Sequence, residues 1–279
     1  MKRLESHAEV KRALEALPDS ALMTAVAESM PLGRGIGGTV SARQVGGANV
    51  FIKTVRLTAL EQANPQSTAN LFGLPPTYQY GLSSAGFGAW RELAAHRLTT
   101  QWVTSGAHAA FPLLHHWRVL PRAPEENPAL ERQVAAWGGN PQIRARLEAM
   151  DAATKSVVLF LERFPQDLRS LLLDGAPDWV EPALIDVTAF LASKGFVHFD
   201  AHFQNIVTDG KALYVTDFGQ ALSSDFTLSA EEKAFLERHL QFDRTYVQAK
   251  LFAMTREPHL APSATQLNRL FATVKASPG

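Results

Sequence analysis

Two short segments of this chain carry the residue types for phosphoryl chemistry. His198-Phe199-Asp200-Ala201-His202-Phe203-Gln204-Asn205 offers a carboxylate and an amide, and Asp217-Phe218-Gly219 offers a second carboxylate. Transfer of a phosphoryl group from a nucleotide needs a group that orients the attacking hydroxyl and hard oxygen ligands for magnesium. The residues between the segments predict how they meet. Ile206-Val207 reads as a short strand, Thr208-Asp209-Gly210-Lys211 as a turn and Leu213-Tyr214-Val215 as the returning strand. Such a hairpin brings Asn205 and Asp217 together at its open end, with Asp200 just upstream. Taken singly, each segment reads as a set of turn residues or a strand terminator; their hairpin spacing favours a shared site.

A second cluster lies far upstream. Gly33-Arg34-Gly35-Ile36-Gly37-Gly38-Thr39-Val40 fits G-x-G-x-x-G-x-V, a strand–turn–strand whose backbone N–H groups can lie close over phosphates. β-branched residues follow it where a dinucleotide-binding fold would have a helix. Val50-Phe51-Ile52-Lys53 then reads as a strand that ends on a cation, which either points into a cleft or snorkels at the surface. Phe51, two residues from Lys53, shares its face. Its ring stacks on a base, blocks the base site or belongs to the core.

These residues need elements to hold them. Apolar spacing over residues 6–28 predicts one or two helices broken at Pro18. Residues 32–56 predict two or three strands, with a turn at Gly46-Gly47-Ala48-Asn49. Ala59 to Gly86, rich in Pro, Ser, Asn and Gly, predicts a long irregular excursion of the functional or mobile kind. A helix is expected from Ala89 to Trp102, strands within 111–119, and an insertion with two amphipathic runs over 121–155. Ser156 to Leu161 suits a buried strand. Helices are expected at Leu168–Leu173, at Val180–Lys194 ending on Gly195, at Ser229–Leu251 behind a Ser229/Glu232 capping box, and at 263–275. Strands and one helix come first and mostly helices later, which is an α+β plan with a cleft at the junction.

Composition narrows the class. The chain has 279 residues, with 27 Lys+Arg against 27 Asp+Glu, so no global charge draws it to nucleic acid or an anionic membrane. It has no cysteine, which removes disulfides and thiolate metal sites. No apolar segment follows the N-terminus as a secretory signal requires, and no run spans a bilayer. The expectation is a soluble, cytoplasmic protein.

The pattern H-x-D-x-x-x-x-N followed by D-F-G resembles the catalytic loop of the protein-kinase-like superfamily, and its details are similar to the aminoglycoside and choline phosphotransferases. The resemblance extends over about residues 30 to 225. It implies a bilobal protein-kinase-like fold: an N-terminal helical extension (1–30), a small β-rich N-lobe (31–164) and a mostly helical C-lobe (165–279). It implies an ATP-dependent phosphotransferase that moves the γ-phosphate to a hydroxyl of a small molecule or peptide, with ATP and Mg2+ as cofactors. Asp200 would orient the acceptor hydroxyl or take its proton, and Asn205 and Asp217 would hold magnesium. Lys53 would neutralise phosphates, paired with Glu92 or, as runner-up, Glu61. Gly33, Gly35, Gly38, Val40 and Phe51 would surround the nucleotide. Val157 to Phe164, with Glu162, would form the hinge that binds adenine through backbone groups. His198 would brace the loop, Phe218 would enter the core, Gly219 would permit the chain reversal, and Asp167 would be an N-cap only.

Departures from protein kinases matter. His202 stands where a Ser/Thr kinase carries lysine, Phe199 precedes Asp200 where an arginine would receive a phosphorylated loop, and no A-P-E follows Asp217-Phe218-Gly219. These favour the small-molecule branch or a peptide-modifying relative. A protein Ser/Thr kinase-like enzyme and a nucleotide-binding pseudokinase without turnover stand as alternatives.

Overall fold

The computed structural model describes residues 2–35, 38–81 and 84–256. The helix expected over 263–275 and the glycine-loop residues Ile36 and Gly37 lie outside the described residues.

Pro18 splits the first helical run into α1 (Lys2–Glu15) and α2 (Asp19–Ala27). Three strands follow: β1 (Met30–Arg34), β2 (Gly38–Val45) and β3 (Ala48–Leu57). The β2–β3 turn is Gly46-Gly47 alone, both at positive φ (56° and 80°); Ala48 and Asn49 already belong to the ladder. After α3 (Ala59–Ala63) and a 3-10 turn at Pro76–Tyr80 comes α4 (Ala89–Thr104). Then come β4 (Leu114–Pro121), α5 (Leu130–Ala136), α6 (Pro141–Asp151) and β5 (Lys155–Glu162).

Strands β1 to β5 form one antiparallel sheet in the order β1-β2-β3-β5-β4. Its two faces follow the period of two along β3. Val50 and Ile52 pack with Val158, Phe160, Leu120 and the α1–α2 residues Val10, Leu14 and Leu22. Val55 and Leu57 pack with Leu159, Leu161 and the α4 residues Ala89, Trp90 and Leu93. Lys53 and Phe51 stand on this second face, opposite Leu159 and Leu161.

The remainder is mostly helical: β6 (Gln166–Asp167), α7 (Leu168–Leu173), α8 (Val180–Ser193), β7 (Phe196–Val197), β8 (Ile206–Thr208), β9 (Leu213–Val215), β10 (Leu222–Ser223), α9 (Ala230–His239) and α10 (Phe242–Arg256). Its core gathers Leu184, Val187 and Leu191 of α8, Tyr246 and Val247 of α10, and Phe199, Phe203 and Phe218. The expected Ser229–Leu251 helix is two helices. The capping box starts the first as expected, with Ser229 Oγ accepting Glu232 N–H at 3.1 Å, but the chain breaks at Leu240-Gln241 before α10.

The two stretches read as an excursion and an insertion share one core. Leu74, Tyr78 and Phe87 pack against Val134, Ile143, Leu147 and Met150. Residues 59–86 are therefore not simply irregular. Thr58 and Glu61 form a capping box at α3, and the same Glu61 carboxylate accepts Ala89 N–H at 2.7 Å and holds buried Arg146 at 3.2 Å. Glu61 is fully committed there, which removes it as the runner-up partner of Lys53. Its Pro, Ser, Asn and Gly content hid this segment because its order comes from long-range contacts, those of the Glu61 carboxylate among them, rather than from periodicity.

Helix α4 is fastened to both regions. Arg91 pairs with Glu232 of α9 at 2.6 Å, with both side chains 3% exposed or less. Among the described residues no helix is long and apolar enough to cross a membrane.

Candidate functional site

The β8–β9 hairpin sets the site. Ile206 pairs with Val215, so Asn205 and Thr216 lie at its open end, where Thr216 N–H donates to Asn205 O at 2.9 Å. Asp217 follows in the left-handed region at φ 64°. The positive φ of this turn belongs to Asp217 and not to Gly219, so the chain reversal expected of Gly219 is made one step earlier by a residue whose short polar side chain tolerates it. Gly219 instead sits near the Asp217 and Glu92 carboxylates.

Asp217 Oδ1 accepts a hydrogen bond from Lys53 Nζ at 2.6 Å, and Glu92 Oε1 stands 2.6 Å from the same ammonium. Glu92, in the first turn of α4, is the lysine's partner. Lys53 and Glu92 side chains are 12% and 5% exposed, whereas the Asp217 side chain is 43% exposed and opens to the cavity. Burial opposes charge on Lys53, but Asp217 and Glu92 outweigh it and raise its pKa. Burial likewise raises Asp217, yet the Lys53 ammonium overrides it and holds this carboxyl below its usual range. For Glu92, burial wins over Lys53 and the shift is upward.

Asp200 and Asn205 form the second half. Asn205 Nδ2 donates to Asp200 O at 3.0 Å and Oδ2 at 3.2 Å. This orientation turns Asn205 Oδ1 away from Asp200. Burial and the nearby Asp217 charge push the Asp200 carboxyl well above its ordinary range, the direction that suits a proton acceptor. His202 Nε2 lies 3.8 Å from Asp200 Oδ2, and burial lowers its pKa, so near neutral pH it is an uncharged neighbour.

His198 is structural, as expected. Its Nε2 donates to Thr216 O at 2.8 Å and its Nδ1 accepts Asp200 N–H at 3.2 Å, which ties the two loops together and requires the neutral ring. Burial lowers it to about 4. Beneath it lies a residue the sequence reading missed. Asp243 accepts the backbone N–H of His198 at 2.6 Å and of Phe199 at 3.0 Å, and Phe199 is held at φ 63°. The available signal was a carboxylate on the apolar stripe Phe242, Tyr246, Val247 of α10.

A cavity of about 310 Å³ opens on part of this cluster. Lys53, Phe51, Asn205, Asp217, Glu162 and Phe164 line it, together with the unanticipated Leu32 and His96. Phe51 stands on the wall and does not fill the space. Asp200 reaches the cavity edge through Asn205 rather than lining it. The described glycines of the loop do not line it either. Gly35 and Gly38 border a separate cavity of about 280 Å³ with Thr54 and Arg56. Val40 pairs with Lys53 and so shares its face, and Gly33 lies near Val40. Gly38 is needed for close approach, since a Cβ there would stand 1.7 Å from Thr54 O. The Glu162 side chain is bound to Arg3 and Leu113 N–H, and its own N–H donates to Leu113 O at 2.8 Å, so neither its carboxylate nor its backbone N–H is free for a ligand. Asp167 caps α7 by accepting Ser170 N–H at 2.7 Å.

Asn205 and Asp217 offer hard oxygen donors of the kind magnesium takes when substrate phosphates and water complete its shell. Among the described residues no cluster of three or more His, Cys, Asp or Glu side chains forms a self-sufficient metal site.

No protein-family model matches the chain, and no curated protein matches it in sequence.

Proposed function

We propose that this chain is an ATP-dependent phosphotransferase with a bilobal protein-kinase-like fold, acting on a hydroxyl of a small molecule or peptide. One observation carries the reading: Lys53 Nζ stands 2.6 Å from both Glu92 and Asp217 on the wall of a cavity that Asn205 shares. A buried cation fixed by one carboxylate and facing another is suited to a triphosphate with its magnesium.

In this reading Glu92 orients Lys53, and Lys53 neutralises the nucleotide phosphates. Asn205 and Asp217 would hold magnesium, which would supply charge neutralisation on the phosphates. Asp200 orients the acceptor hydroxyl. The acceptor oxygen bonds to the γ-phosphorus, the bond from that phosphorus to the β–γ bridging oxygen breaks, and the proton passes to Asp200 as ADP leaves. Asp243 and His198 keep the Asp200 backbone in place.

A nucleotide-binding module without turnover is the second reading, favoured by Phe51 on the cavity wall. ADP formation separates the two. Wild type should form ADP with magnesium and a panel of hydroxyl acceptors, and Asp200→Asn should lose roughly 10²-fold or more in rate while it still binds MgATP. Equal rates for the two proteins would remove Asp200 from the chemistry; binding without turnover would favour the module.

A further inference from the structure

Arg3, in the first turn of α1, reaches the far end of the cavity wall. Its Nε donates to Glu162 Oε1 at 2.8 Å and Oε2 at 3.0 Å, and its Nη2 to Glu162 Oε2 at 2.6 Å. Its Nη1 donates to Ala109 O at 3.0 Å and its Nη2 to Phe111 O. The guanidinium carbon lies 4.9 Å from the Tyr214 ring centroid and 5.9 Å from that of Phe164, and those two rings stack at 3.8 Å. Glu162 and Phe164 line the cavity; Tyr214 belongs to β9 of the hairpin that presents Asn205 and Asp217. One side chain thus joins the cavity wall, the approach to β4 and the hairpin.

The rest of α1 holds Arg3 there. Along the same face His7 Nδ1 meets His115 Nδ1 at 2.9 Å, and Val10 and Leu14 are buried in the outer core of the sheet. The planar fork is used in full, which a point cation could not do. The contact also answers a charge problem, because Glu162 is a carboxylate on the wall of a cavity suited to a polyanion.

We propose that Arg3 is a positioning residue for this cavity: by fixing and neutralising Glu162 and clamping the Phe164–Tyr214 stack, the N-terminal helix sets the cavity's affinity for nucleotide. The nucleotide part rests on the function proposed above; the positioning part does not. Arg3→Ala and Arg3→Lys in the full chain test both, with Lys11→Ala, an exposed position on the same helix, as control. Amide hydrogen exchange should rise in residues 162–167 and around Tyr214 in Arg3→Ala and stay unchanged in α8. MgATP titration by calorimetry should show about tenfold weaker binding, with Arg3→Lys in between, since lysine keeps the charge and loses the fork. Exchange that is unchanged, or that rises evenly over the whole chain, would overturn the positioning role. Unchanged affinity beside a wild type that binds would overturn the link to nucleotide. A wild type that does not bind MgATP would defeat the function proposed above, and the exchange result would still decide whether Arg3 positions the wall.

Discussion

Asp243 Oδ2 accepts the His198 backbone N–H at 2.6 Å, and this contact fixes the loop on which Asp200 stands. The same carboxylate takes the N–H of Phe199, whose φ of 63° is unfavourable for a side chain of its size. Asp243→Asn replaces one acceptor with a donor that faces an N–H. The expected cost is about 1–3 kcal/mol of stability in a denaturant titration, together with a fall in kcat larger than the change in nucleotide affinity. Full activity in a destabilised variant would show that the loop holds its shape without Asp243.

Arg91 and Glu232 form a buried pair between α4 and α9, with both side chains 3% exposed or less. Removing one partner leaves an uncompensated charge. Arg91→Ala or Glu232→Ala should each cost about 3–5 kcal/mol, whereas Arg91→Met with Glu232→Gln, which keeps the α9 capping box, should recover part of it. Chemical denaturation of the three variants measures this. Additive losses in the double variant would mean that the two residues do not act as a pair.

His96 sits in α4 one turn beyond Glu92, fully buried, with its ring edge-on to Phe218 at 4.9 Å and no hydrogen-bond partner for either nitrogen among the described residues. His96→Leu should stabilise the fold by about 1–3 kcal/mol by removing unsatisfied polar atoms. Burial, then the Lys53 charge, lowers the ring to about 3 from 6.5. The unfolded chain therefore binds the proton first, and stability from the neutral ring is complete above pH 6.5 and lost as pH falls toward 3. The gap in Tm between variant and wild type should widen on acidification from pH 7 to pH 5. A gap that stays constant would place the acid sensitivity elsewhere.

Gly38→Ala would set a methyl group 1.7 Å from Thr54 O across the β2–β3 ladder. The two strands must part there, at an expected cost of about 1–3 kcal/mol. Gly35→Ala, with no atom of the described residues beyond its chain neighbours within 4 Å of its added carbon, should be near neutral. Comparable losses at both positions would mean that the loop adapts as a unit.

Much of the site was legible because it is local. Asn205 and Asp217 flank one short hairpin, so turn chemistry alone brings them together, and the alternation of β3 puts Lys53 and Phe51 on one face. Glu92 was expected only through the resemblance, which calls for a carboxylate on the helix after Lys53 and left Glu61 as the runner-up. What escaped the reading is non-local. Asp243 acts from a helix 45 residues beyond His198, and Arg3 meets Glu162 across 159 residues. No spacing rule connects such positions. Residues 59–86 looked irregular for the same reason, since their order depends on Glu61 reaching Ala89 and Arg146. Leu240-Gln241 split a helix that capping and periodicity had run together, because neither is a residue that stops a helix by itself.

In the proposed function Lys53, Asn205 and Asp217 surround a magnesium-bound nucleotide. Titration calorimetry of ATP into wild type and Asp217→Asn, each with and without magnesium, tests it most directly. Wild type should bind ATP only with magnesium, and the variant about tenfold more weakly or worse. Absence of binding, or binding indifferent to both magnesium and Asp217, would contradict it.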